Sequence, residues 1–198
     1  MQRKMRTIEI TLVSLFVVLI AIGANITTIA PFLVVGGVPI TLQTFFAILA
    51  GLILGARLGT ISTTVYMVGG LIGLPFFAQF KGGIAALFFP TFGFILSFIL
   101  VAFVCGKMVE KKKTVTPYII AALIGTAINY IVGTNWMYFA YLNWAEAPEG
   151  FTYGMAWLWM VVPLPKDIIL AVVAGIFAHR MRFSVLTKGQ FKHLRIGA

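Results

Sequence analysis

Apolar residues follow one another along this chain in blocks far longer than the stripe of a soluble amphipathic helix. Six blocks, residues 8–29, 40–56, 58–74, 92–108, 117–141 and 165–181, approach the roughly 20 apolar residues that a helix needs to cross a bilayer core of about 30 Å. The pattern predicts an all-α integral membrane protein, a single domain over residues 1–198 built as a bundle of six transmembrane helices. Two further apolar stretches do not fit a span. Residues 75–91 mix Phe76, Phe77, Phe80 and Phe88 with Gly82, Gly83 and Pro90. Irregular backbone at membrane depth is tolerated where it is buried in protein or lines a cavity, so this segment is expected to fold back over the bundle, either as a lid over a pocket or as an interfacial loop held by aromatics. Residues 151–162 extend only about 18 Å as a helix, and with Tyr153, Trp157 and Trp159 they suit a helix lying at headgroup level.

Small residues sit at helical spacing within these blocks. Gly51, Gly55 and Gly59, then Gly69 and Gly73, recur every four residues, a pattern that lets helix backbones approach closely. Ser14, Ala21 and Asn25 share one stripe of the first helix and form a candidate surface for a partner.

Composition excludes a soluble chain: 61% of residues are hydrophobic, 10% charged, and the mean hydropathy is +1.03. A net charge of +10 would suggest nucleic acid in a soluble protein. Here thirteen of the fifteen basic residues, including Arg6, Arg57, Lys107, Lys111 to Lys113, Arg180 and Arg182, fall at alternate ends of the apolar blocks, where they set orientation. The expected topology places both termini in the cytoplasm and excludes nucleic-acid binding. Lys81 and Lys166 are the two basic residues left outside, and both become candidates to meet an anionic ligand. The lone cysteine, Cys105, excludes an internal disulfide and a cysteine-based metal site.

The chemistry concentrates in Val161–Leu170, where Asp167 is the only acid among apolar residues and two prolines. With Pro165 at the first helical position, Asp167 would be the third residue of the last helix. Its carboxylate is then either a cap favoured by the helix dipole or part of a functional site. No nucleophile–base pair, carboxylate pair or His cluster lies within the spans, since His179 and His193 are at or beyond the cytoplasmic end. No phosphate-binding Gly-x4-Gly-Lys-Ser/Thr occurs either. An enzyme is not expected, nor a metal or cofactor.

The segments Gly37-Val38-Pro39-Ile40-Thr41-Leu42-Gln43-Thr44, Gly55-Ala56-Arg57-Leu58-Gly59, Tyr66, Gly69-Gly70-Leu71-Ile72-Gly73-Leu74-Pro75-Phe76-Phe77, Gly82-Gly83 and Pro90-Thr91-Phe92-Gly93-Phe94 closely resemble the BioY family, the biotin-binding S components of energy-coupling factor (ECF) transporters. The likeness runs over about residues 21–97 and resumes at 163–171. It implies a six-helix membrane protein that binds biotin from outside and docks on a membrane coupling protein with two cytoplasmic ATPase subunits; Ser14, Ala21 and Asn25 would then face the coupling protein. One departure stands out: the family has a lysine three residues after the aspartate of the last helix, and this chain has Leu170 there, with Lys166 beside Asp167 instead.

Biotin's ureido ring carries two N–H donors and one carbonyl. Asp167 suits the N–H groups, while an amide of Asn129, Gln43 or Gln79 suits the carbonyl. Phe76, Phe77, Phe88, Tyr130, Trp136 and Trp157 are candidates for the apolar wall. The ligand carboxylate needs a cation, Lys81 or, second, Lys166. An S component for another small acid, lipoate-like or a pyridine carboxylate, is the alternative that Leu170 keeps open.

Overall fold

The computed structural model describes residues 5–29, 34–35, 38–39 and 41–186; the expected loop glycines Gly36 and Gly37, and the basic residues Lys188, Lys192 and Arg195, lie outside them. Six α-helices carry the chain: α1 Thr7–Ile29, α2 Gln43–Leu71, α3 Phe92–Val109, α4 Val115–Asn143, α5 Tyr153–Val161 and α6 Leu164–Met181. A two-residue hairpin, β1 Val34–Val35 against β2 Val38–Pro39, lies between α1 and α2, with Val34 opposite Pro39. Short turns of 3₁₀ helix at Ala78–Phe80 and Ile84–Phe88 join α2 to α3.

α2 holds two of the expected spans. Gly55 in its middle has φ +82° and ψ 173°, outside the helical region. In a straight helix Gln43 and Tyr66 would stand roughly 34 Å apart, yet the Gln43 amide donates to the Tyr66 hydroxyl at 2.5 Å. The chain therefore doubles back at Gly55, a conformation that glycine adopts without a Cβ penalty. A Cβ on Gly59 would run into the backbone of Ala50 and Gly51, so the two arms, residues 43–54 and 56–71, touch along their backbones. α1, α2, α3 and α4 are each long and apolar enough to cross a membrane, and α6 adds a crossing with α5 bent 55° away from it. With α2 doubled, the bundle has six crossings.

The glycines divide the work differently from the expected stripe. Gly51 packs against Ala102 of α3, and Gly106 of α3 packs against Gly55 and Ala56, which explains the close α2–α3 contact. Gly69 and Gly73 do not join helices. Gly69 and Gly70 receive the rings of Phe76 and Phe77, while Gly73, at φ +109°, ends α2 in a Schellman motif: Leu74 N–H donates to Gly69 C=O and Gly73 N–H to Gly70 C=O. Along the rest of the bundle α3 lies between α2 and α4, α1 packs on α2, and α6 on α4. Cys105 is buried, its thiol donating to the Ala121 carbonyl at 3.1 Å.

Candidate ligand-binding site

At the end of the bundle opposite the Arg57 turn, the start of α2, the segment after it, α3, α4, the end of α5 and the start of α6 enclose a cavity of about 270 Å³. Eight of the twelve residues expected to bind ligand line it: Asp167, Lys166, Lys81, Gln79, Asn129, Gln43, Tyr130 and Phe77. Phe88, Trp157 and Leu170 are not part of its lining.

Among the described residues Asp167 is the one carboxylate lining the cavity. The Tyr130 hydroxyl, on α4, donates to its Oδ2 at 2.7 Å, and the Lys166 ammonium lies 2.8 Å from its Oδ1. Lys166 also donates to the Thr41 carbonyl at 2.7 Å, tying α6 to the start of α2. The side chains of Asp167 and Lys166 are 12% and 33% exposed, so the pair is largely desolvated. α6 starts one residue earlier than expected, with Pro163 as its cap, which makes Asp167 the fourth helical residue rather than the third. Its own N–H already donates to Pro163 C=O, and its carboxylate caps no helix N–H. The carboxylate lines the cavity and also lies in the first turn of α6, where the helix dipole favours its charge.

The two deeper amides are held by their neighbours. Asn129 donates to Ser97 Oγ at 2.6 Å and to Phe94 C=O at 3.2 Å, and accepts from Thr44 Oγ1 at 3.1 Å. Gln43 donates to Tyr66 and accepts from Thr41 Oγ1 at 3.1 Å. Both Asn129 donors are thereby used within the protein. Gln79 and Lys81, exposed on the segment after α2, make no side-chain hydrogen bond among the described residues; the Lys81 ammonium sits 5.5 Å from the centre of the Phe89 ring.

That segment forms one wall of the cavity, contributing Phe77, Ala78, Gln79, Lys81, Ala86, Phe89 and Pro90. Gln79 and Phe80 both have positive φ, 63° and 54°, a conformation that costs non-glycine residues on the order of 1–3 kcal/mol each. Five side-chain bonds to its backbone hold the wall. Asn25 of α1 accepts from Phe80 N–H at 2.6 Å and donates to Phe76 C=O at 3.5 Å; Tyr66 donates to the same carbonyl at 3.1 Å. At the far end, Trp144 donates to Phe88 C=O at 2.7 Å and Trp136 to Phe89 C=O at 3.3 Å.

Three expected roles change with this geometry. Phe76 does not line the cavity, because its ring stacks on Tyr66 at 6.0 Å and fills the space over Gly69. Trp136 stays outside as well, packed against Phe92 and Gly93 with its indole on the Phe89 carbonyl. Asn25 is not on an outward surface: it is only 8% exposed and turned onto the segment after α2. Of the expected stripe on α1, Ser14 is exposed and Ala21 half-buried. Residues that the sequence reading did not single out for the site include Thr44, Tyr66 and Ser97, which orient Asn129 and Gln43. Tyr66 lies as far after Gly55 as Gln43 lies before it, within one residue, so a reversal at that glycine was the signal that would have paired them.

Six membrane crossings around a small, mixed polar and aromatic cavity with one oriented carboxylate define a multi-pass integral membrane protein built to bind a small molecule. Among the described residues no three His, Cys, Asp or Glu side chains gather as a metal site. The BioY family profile matches residues 1–186, and the chain belongs to that family. It is 43% identical to BioYB of Bacillus subtilis (strain 168) over 89% of this chain and 88% of the relative. It is 36% identical to the biotin transporter BioY of Thermotoga maritima over 85% and 92%. A crystal structure of the S-component for biotin from an ECF-type ABC transporter superposes with a TM-score of 0.74, covering 96% of this chain and 98% of that one at 24% identity, which shows a shared fold.

Proposed function

We propose that this chain is the substrate-binding S component of an ECF-type importer in the cell membrane, that it takes biotin from the extracellular side, and that it hands the ligand inward by docking on a membrane coupling protein with two cytoplasmic ATPase subunits. The relatives named as biotin transporters support the ligand class. The observation that carries the reading is Asp167, held by Tyr130 and Lys166 in the lining of a cavity of ligand size. Two ureido N–H groups are what such a carboxylate accepts. Lys81 is the cation for the ligand carboxylate: Lys166 is already engaged by Asp167 and Thr41, whereas Lys81 has only a ring beneath it. With the Asn129 donors engaged, Gln79 supplies the amide for the ureido carbonyl. Tyr130, Phe77 and Phe92 line the apolar part of the cavity. Ser14 and Ala21 on α1 face the coupling protein, and lipid surrounds the rest of the bundle.

Native mass spectrometry of the purified chain tests the ligand. Retained biotin, displaced by neither a lipoate-like acid nor a pyridine carboxylate, is the expected result; an adduct with one of those acids in preference to biotin overturns the assignment.

A further inference from the structure

We infer that Asn25 is a positioning residue for the ligand cavity, a buried latch on α1 that sets the conformation of residues 76–81 and thereby the rate at which ligand leaves. The side chain projects from a helix that contributes nothing to the cavity lining, yet it reaches the one stretch of wall with an unfavourable backbone. Its Oδ1 accepts from Phe80 N–H at 2.6 Å, and its Nδ2 is shared between Ala21 C=O at 2.9 Å and Phe76 C=O at 3.5 Å. One amide thus spans both ends of the turn Phe76–Phe80. Within the turn Gln79 and Phe80 are held at positive φ, and the strands on either side close through Phe77 N–H to Lys81 C=O at 3.0 Å. Gln79 and Lys81, two of the cavity residues whose polar ends carry no protein hydrogen bond among those described, flank the latched N–H directly.

The physical argument is one of competing conformations. Left to itself, a turn with two non-glycine residues at positive φ relaxes toward negative φ, which swings Gln79 and Lys81 away from the cavity. An accepting oxygen at Phe80 N–H favours the strained form, because releasing the turn would leave that carbonyl unpaired in a site 8% exposed. The far end of the wall is fixed separately by Trp136 and Trp144, and Tyr66 still holds Phe76 C=O, so loss of the latch loosens the turn between them.

The ligand readout of this inference rests on biotin being the ligand, and the exchange readout does not. The test compares Asn25→Leu, of similar size without polar atoms, with Asn25→Asp, which keeps the accepting oxygen, and with Trp144→Phe as the far-end control. Backbone hydrogen exchange is followed on the unliganded protein, and biotin association and dissociation on the same preparations. In Asn25→Leu, exchange across residues 76–82 should accelerate about tenfold or more, with the six helices unchanged, and biotin should dissociate about tenfold faster at a similar association rate. Asn25→Asp, which keeps the oxygen on Phe80 N–H but loses the donor to Ala21 and Phe76, should fall between the parent and Asn25→Leu in both, and Trp144→Phe should leave exchange at 76–82 unaltered. Parent-like exchange in Asn25→Leu, acceleration spread through all helices, or equal effects of Leu and Asp overturns the latch. Should the parent itself fail to hold biotin, the assigned ligand fails while the exchange comparison still decides for or against Asn25.

Discussion

The Tyr130 hydroxyl of α4 and the Asp167 carboxylate of α6 meet at 2.7 Å, thirty-seven residues apart in sequence, with Lys166 on the other carboxylate oxygen at 2.8 Å. Each oxygen of this cavity-lining carboxylate thus has one protein partner. The arrangement also separates the capping and binding roles of this residue by experiment. Asp167→Asn is nearly isosteric but leaves the half-buried Lys166 ammonium without its counter-charge, so the melting temperature should fall modestly as well. A charge-assisted hydrogen bond to ligand is worth roughly 1.5–3 kcal/mol, so biotin affinity should fall about tenfold to a hundredfold. Tyr130→Phe should lose less, about threefold to tenfold, since it frees the carboxylate rather than removing it. Isothermal titration of both variants checks the order; an Asn variant that binds like the parent but melts earlier would return Asp167 to a structural role.

Lys81 and Lys166 separate by what they touch. Lys166→Leu breaks both the ion pair and the tie to Thr41 C=O, so it should weaken biotin and a carboxylate-free biotin amide alike and lower the melting temperature. Lys81→Leu removes an exposed ammonium that holds no backbone group, so it should weaken biotin by about tenfold and leave the amide nearly unaffected. Equal losses for both ligands in Lys81→Leu would take the cation role from Lys81.

Gly55→Ala should be among the most damaging small substitutions in the chain. The residue sits at φ +82°, where a Cβ costs on the order of 1–3 kcal/mol, and its backbone lies against Gly106 of α3. Thermal unfolding in detergent should report a clear loss, whereas Gly150→Ala, also at positive φ (70°) but with open space around it, should cost less.

The basic residues at the Arg57 turn and at Lys111 to Lys113 oppose the cavity end. A reporter active only on the outer side of the membrane, fused after the last residue, should stay silent, and the same reporter inserted at Glu146 should respond. A signal from the C-terminal fusion would contradict the orientation.

Ser14 is the exposed member of the small-residue stripe on α1. Ser14→Trp should leave biotin binding within about twofold of the parent and abolish uptake in cells carrying the coupling protein and ATPases. Loss of binding instead would place α1's role within the bundle.

Hydropathy exposed the six crossings because each block had to be apolar over its length, and charge exposed Lys81, Lys166 and Asp167 because so few charges occur away from the basic turns. Asp167 was therefore legible, but its bond to Tyr130 was not, since nothing local relates α4 to α6. The apolar blocks 40–56 and 58–74 are the two arms of α2, and the basic Arg57 marked the turn between them to within two residues; the φ of +82° at Gly55 that makes the reversal was not legible in hydropathy. Aromatics misled most. Phe76 and Trp136 have the character of pocket residues, yet their rings cover Gly69 and Gly93, two places where the absence of a side chain demanded a filler. Asn25 shared a helix face with Ser14 and Ala21, and a periodicity argument cannot tell that the end of that face lies under a returning loop.

The doubled α2 bears on how the bilayer meets the protein. Its arms, residues 43–54 and 56–71, extend roughly 18 and 24 Å, against about 43 Å for α4. A hydrocarbon core of about 30 Å therefore exceeds the first arm by some 12 Å, a mismatch that lipid relieves by thinning or that headgroups and water relieve by reaching inward. Gln43, Thr44 and Tyr66 sit at the outer ends of those short arms. Beside the longer α4, those short arms should thin the bilayer or draw headgroups and water toward the cavity mouth, so that a water-soluble molecule has less hydrocarbon to cross on its way in.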